Sequence, residues 1–160
     1  MKFLKTHYGR AIDVIPSDTV NIPNPAGLGM TGVTTGFDTN QLKDNTVTFT
    51  TNLLGAIVVN TTDNTIANVI GFVSAETLVL DADIFVTAGN GYAIYNSDNN
   101  QGCSIYIPTQ TQAALKVLTV GGDVITFGGC GNDRGYSILP VNVLRVFSTD
   151  TALNDLIALW

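Results

Sequence analysis

STDTALNDLIALW, residues 148–160, admits two readings that lead to different folds. Leu153, Leu156, Ile157 and Trp160 stand at i, i+3, i+4 and i+7, the spacing of one apolar helix face, and Ser148, Thr149 and Asp150 are placed to cap it. With a period of two, Asp155 to Trp160 is instead a strand, Leu156, Ala158 and Trp160 on one side and Ile157 and Leu159 on the other. The first reading adds a helix to the molecule. The second makes it all-β and fixes the direction of its one tryptophan.

Upstream of this stretch, helix-forming patterns are scarce. Thr, Val, Ile and aromatic residues recur in short runs punctuated by Gly, Asn, Asp and Ser, which is the pattern of strands and turns. The runs are RAIDVI (10–15), TVTFTT (46–51), GAIVVN (55–60), IANVIGFV (66–73), TLVLD (77–81), GYAIYN (91–96), CSIYIP (103–108), LKVLTV (115–120), DVITFG (123–128) and SILPVNVLRVFS (137–148). With DLIALW (155–160) they predict about eleven strands of ordinary length. Thr61-Thr62-Asp63-Asn64, the VSAET stretch (73–77) and Gly121-Gly122 each join sequence neighbours as tight reversals, so the pairing expected is antiparallel.

Residues 16–44 differ in kind. Three of the five prolines fall here, and Pro23 and Pro25 cannot donate to a sheet ladder, so the segment reads as an extended arm or long loop. A second loose stretch, NSDNNQG (96–102), precedes Cys103. The two frame a block of about five strands able to close as a small barrel or short sandwich.

Composition narrows the function classes. The 160 residues are 45% hydrophobic, yet only 12% are charged, about half of the roughly 25% usual in globular domains. The chain is a folded protein kept soluble by hydroxyls and amides. Its net charge of -6 and the scatter of Lys2, Lys5, Arg10, Lys43, Lys116, Arg134 and Arg145 leave no basic stripe, which argues against direct nucleic-acid binding. No apolar run approaches the roughly 20 residues of a membrane span, and the start MKFLKTHYGRAIDVIP lacks the apolar stretch of a secretion signal. The expectation is a protein assembled in the cytosol, with no membrane partner. Cys103 and Cys130 fit two buried free thiols, and the glycosylation triplet at Asn60 is a chance match.

Catalytic chemistry finds little to work with. The single histidine, His7, lies near the N-terminus, which disfavours Ser-His-Asp and Cys-His arrangements and leaves zinc no ligand set with the cysteines. Asp81 and Asp83 are two apart, while Asp13, Asp18, Asp133 and Asp150 are scattered, a poor match to a glycosidase pair. NSDNNQG starts like a calcium loop, but its glycine comes one place late and Ile107 stands where the glutamate belongs. VGGDV and FGGCGNDRG lead into no helix able to cradle phosphate. No catalytic residue, metal or cofactor is expected. Uncharged strand edges remain, and such edges invite pairing with another chain.

Two parts of the chain carry a resemblance. AIDVIPSDTVNIP (11–23), and the stretch from CSIYIP (103–108) through ALKVLTVGGDVITFGGCGNDRGYSILPVNVLRVFSTDTALNDLIALW (114–160), resemble small bacteriophage virion proteins, among them head spike base proteins of phages and of phage-like gene transfer agents. The shared features are Pro16-Ser17-Asp18 leading to Ile22-Pro23, an apolar strand from Ile105 to Ile107, a Gly-Gly hairpin with VITF, Gly135 leading into ILPVNVLRV, and the terminal Leu-aromatic element. The intervening block LGAIVVNTTDNTIANVIGFVSAETLVLDADIFVTAGNGYAIY looks similar to β modules of structural proteins of marine tailed phages, especially cyanophages.

The resemblance implies an all-β protein of antiparallel sandwich or barrel modules, one inserted in the other: a discontinuous module of residues 1–25 plus 99–160 and an inserted one at 36–97. It implies a non-catalytic virion structural protein, foremost a capsid decoration or cement protein contacting the major capsid protein or neighbouring virion proteins. A spike or fibre base, or a tail-associated adaptor, is the alternative placement. Self-association is expected, a trimer as first guess. The candidate contact residues are Pro16, Asp18, Ile22, Pro23, Pro25 and Trp160, with the arm 16–44 or the segment MKFLKTHYGR lying on a neighbour and an internal loop packed on its own domain as the other reading. From another class, a carbohydrate-binding module would use Tyr92, Tyr95 and Tyr106 as stacking surfaces. With a last strand implied after a Thr-rich turn and no other helix to pack against, residues 155–160 are read as strand.

Overall fold

The computed structural model describes residues 8–98, 100–108, 112–131 and 135–160. The readings that rest on His7, on the lysines before it, and on Asp133 and Arg134 lie outside these. The chain divides into two compact units, Met1–Pro25 with Asn100–Trp160, and Ala26–Asn99. The inserted unit starts at Ala26, earlier than the residue 36 expected, because part of the supposed arm belongs to its sheet.

The first unit holds two antiparallel sheets. In the four-stranded one, β1 (Ala11–Asp13), β13 (Ile157–Leu159), β8 (Ser104–Ile107) and β11 (Ser137–Ile138) lie side by side in that order. In the three-stranded one, β9 (Ala113–Thr119) lies between β10 (Val124–Cys130) and β12 (Val143–Val146). Alternation buries Ile105 and Ile107 from β8 and Leu115 and Val117 from β9. Around them close Ile22, Leu139, Val143, Val146, Leu153, Leu156 and Ala158.

Residues 148–160 thus end in a strand. Asp150 and Asp155 adopt left-handed backbone with φ of 65° and 53°, which interrupts any helix through Leu153. Leu156 and Ala158 are buried, and Trp160 packs partly buried against the same core.

In the inserted unit, β2 (Leu28–Val33), β7 (Gly91–Tyr95), β4 (Ile57–Asn60), β5 (Thr65–Ser74), β6 (Thr77–Leu80) and β3 (Gln41–Lys43) form one antiparallel sheet in that order. Its two edges meet: Gly36 bridges to Lys43, and the Thr35 N–H donates to the Lys43 carbonyl at 2.9 Å. The sheet therefore curls into a small barrel around Leu42, Phe49, Val58, Val69, Leu78, Leu80, Phe85, Tyr92 and Ile94. The ten-residue β5 makes this curl possible by pairing β4 with its first half and β6 with its second, changing register beside Gly71.

Three sequence expectations are corrected. Residues 16–44 are not one arm, since β2 and β3 lie within them; Gly29 and Gly32 break the apolar alternation that would have marked β2. Thr46–Thr51 is no strand, because Asp44 captures the Thr46 N–H at 2.9 Å and its hydroxyl at 2.6 Å and turns the chain there. Residues 137–148 are not one strand but β11 and β12 in different sheets. The Leu139 N–H still reaches the Ile105 carbonyl at 2.9 Å, and at Pro140, which has no N–H to continue a ladder, the chain changes sheet.

Candidate functional site

The six residues expected at a contact surface separate into three groups. Pro16 and Asp18 are exposed, Ile22 and Pro23 are buried, and Pro25 and Trp160 are half-buried. Residues 17–22 lie along the outer edge of β12, with the Ser17 N–H on the Val146 carbonyl at 2.9 Å and the Ile22 N–H on the Leu144 carbonyl at 2.8 Å. Arg145 fastens them further, its Nε donating to Asn21 Oδ1 at 3.0 Å and its guanidinium to the Asp18 carbonyl at 2.8 Å. This part of the arm packs on its own unit, so the side chains of Ile22 and Pro23 offer nothing to a neighbour.

Asp18 takes the Thr149 hydroxyl at 2.7 Å and the Thr149 N–H at 3.0 Å, and these bonds hold its carboxyl down to about 2. Trp160 turns inward with its indole N–H buried and without an acceptor among the described residues.

Polar groups of the inserted unit are fastened by hydrogen bonds. Asp44 has no exposed surface and accepts from the Tyr92 hydroxyl at 2.7 Å and from Thr46. Burial opposes its charge, but the Thr46 and Tyr92 bonds outweigh burial and keep the carboxyl below its usual range. Tyr92, offered as a sugar-stacking residue, is instead core; burial first and the Asp44 bond second push its phenol up. Asn60 is fully buried and donates to the Ile84 carbonyl at 2.7 Å, which removes it as a glycosylation site. Asp81 accepts from the N–H and side-chain amide of Asn68, both at 2.7 Å, and Asp83 from the Asn40 N–H at 3.1 Å.

Cys103 is buried, Cys130 is half-buried, and both are free; burial pushes the Cys103 thiol up to about 12. The strongly shifted groups are thus moved away from neutrality, the reverse of what proton transfer near pH 7 asks of a side chain. Among the described residues no cluster of three or more His, Cys, Asp or Glu forms a metal site, and no helix is long and apolar enough to cross a membrane. A shallow hollow of about 220 Å³, lined by Phe37, Asp38, Thr39, Asp83, Phe85 and Val86, lies on the barrel unit, its Asp38 paired with Lys43.

The surface carries the features that the interior does not. At the far half of β5, Ile70, Phe72 and Val73 are exposed, at 61%, 37% and 60%. They lie next to the β5–β6 turn, and exposed apolar groups gathered this way mark interaction sites in soluble proteins.

No family model, curated protein or solved structure matches this chain.

On the other unit, the Tyr106 and Tyr136 rings stack with centroids 5.3 Å apart, and Tyr136 is 63% exposed. Phe147 lies beneath two cations, Lys116 Nζ at 5.3 Å and the Arg145 guanidinium at 5.7 Å from its centroid. Sequence reasoning missed the β5 ridge. Its signal was the run VIGFV, where apolar residues continue past the point at which an alternating strand would change to polar.

Proposed function

We propose that this chain is a non-catalytic structural protein of a tailed-phage virion, bound on the head surface as a decoration protein that strengthens contacts between capsid subunits. The observation that carries the reading is the exposure of Ile70, Phe72 and Val73 on the β5–β6 hairpin. Burying them on a partner releases hydrophobic free energy, about 1.5–3 kcal/mol for each large side chain fully covered, without any reacting group. The likeness of residues 11–23 and 103–160 to head spike base proteins supports the same class. Its partner is the major capsid protein or a neighbouring virion protein, and a spike base or tail-associated adaptor uses the same surface at another place. The test is co-sedimentation with capsids after a high-salt wash. The wild-type chain is expected to remain bound, and Ile70→Lys to lower affinity about tenfold or more. Wild-type protein lost in the wash, or undiminished binding of Ile70→Lys, defeats the reading.

The stacked Tyr106 and Tyr136 favour a second reading, a carbohydrate-binding surface on which a sugar ring covers the open face of Tyr136. Saturable signals on a glycan array that vanish in Tyr136→Ala would select this reading over decoration.

A further inference from the structure

The edges of the two sheets in the first unit are not treated alike. β1 is three residues long and ends on the exposed Asp13, and β11 is two residues long and runs into Leu139 and Pro140. The outer edge of β12 is covered by residues 17–22 through the Ser17 and Ile22 bonds. These are the usual devices by which sheets avoid pairing with other chains: short strands, charge, proline and cover.

β10 has none of them along Val124–Phe127, and its one irregularity is a bulge between Phe127 and Cys130. Its seven residues, Val124–Cys130, carry no charge and no proline, and it pairs only with β9 among the described residues. Val124 and Ile125 are 55% and 39% exposed. The register shows which backbone groups are free. Lys116 directs its N–H to Thr151 Oγ1 at 3.0 Å and its carbonyl to the Phe147 N–H at 3.0 Å, both on the β12 side of the sheet. Thr126 is the residue opposite Lys116 on β10, so that pair exchanges no bonds and the Thr126 N–H and C=O point outward.

We infer that β10 is a self-association edge, on which β10 of a second copy pairs antiparallel about a two-fold axis at Thr126. The occupant follows from the chemistry of the edge. Outward-pointing N–H and C=O groups require an extended strand, and the strand must bring no charge to an apolar, uncharged ladder. β10 itself satisfies both conditions. The two-fold sets Ile125 of each copy opposite Phe127 of the other, a β-branched and aromatic cross-strand pair of favourable type. It also suits a chain of net charge -6. The nearest acids on the strand axis, Asp123 of each copy, come to lie about 20 Å apart, beyond the screening length of physiological salt. An isologous edge closes with two copies, so this contact builds pairs, and a trimer requires another surface. The inference stands independently of the virion assignment.

Sedimentation equilibrium of the full-length protein tests it. The wild-type chain is expected at twice the monomer mass. Thr126→Pro removes an N–H that β9 does not use, so it is expected at monomer mass with an unchanged far-ultraviolet spectrum. Thr126→Lys and Thr126→Glu place like charges across the axis and are each expected as monomers, whereas their equimolar mixture returns to the doubled mass. A monomeric wild type, a dimeric Thr126→Pro protein, or a mixture that stays monomeric overturns the inference.

Discussion

Asp44 is the residue on which acid acts in the barrel unit. Its folded pKa lies below the ordinary 3.8, so its bonds stabilise the fold fully above that value and are lost as pH falls through the lowered folded pKa. The denaturation midpoint is therefore expected to be flat from neutrality to about pH 5 and to fall below about pH 4. Asp18, held down to about 2, contributes in the same direction. Asp44→Asn gives up a charged acceptor for the Tyr92 hydroxyl and Thr46, and is expected to cost about 2–3 kcal/mol at neutral pH and to flatten the acid limb. Urea titrations of both proteins from pH 3 to 7 measure this. Nothing in the sequence announces the pair, because the two residues stand 48 positions apart and each is unremarkable alone. Gly32 completes the arrangement, since a Cβ there would collide with the Tyr92 hydroxyl and lie 2.9 Å from Asp44 Oδ2.

At the scale of elements, legibility followed packing. Where one face is buried, as in β8 and β9, apolar alternation exposes the strand in the sequence. β3 is three residues long and β2 carries two glycines, so neither offers a period to read. Thr46–Thr51 has strand composition but was taken by a side-chain bond from Asp44, a competition that propensity does not register. Residues 17–22 belong to the stretch that the prolines of 16–44 mark as extended, but they bend at Asp18 and Thr19, where Ser17 Oγ accepts from the Thr19 and Val20 N–H groups. What proline could not tell was that Ile22 enters the core of its own unit. Ile22→Ala is accordingly expected to destabilise the first unit by about 2–4 kcal/mol, while Pro16→Ala, at an exposed position, changes stability by about 0.5 kcal/mol or less. Guanidinium melts of the two variants make the comparison. The exposed ridge of β5 and the open edge of β10 were the least legible part, because both are recognisable as strands, but exposure and edge position belong to the assembled sheets.

In the whole molecule, each unit has its own apolar core. The ends of the insert are tied together within it, the Asn96 N–H donating to the Gly27 carbonyl at 2.8 Å. The chain likewise meets itself in the first unit where Asn100 donates to the Ile22 carbonyl at 2.9 Å. Residues 26–99 produced alone are therefore expected to fold, giving a β-type circular dichroism spectrum and one cooperative melt. An excised segment without a cooperative transition would show that the barrel depends on the rest of the chain.

The pairing of β1 with β13, Ala11 against Leu159, also sets an order of events during synthesis. A ribosome releases every residue of the barrel before Ile157 emerges, so the insert can fold while the unit that hosts it still lacks a strand. Until that strand arrives, β1 and β8 must wait with unmatched backbone. A finished barrel between them shortens the length of loose chain across which they have to meet.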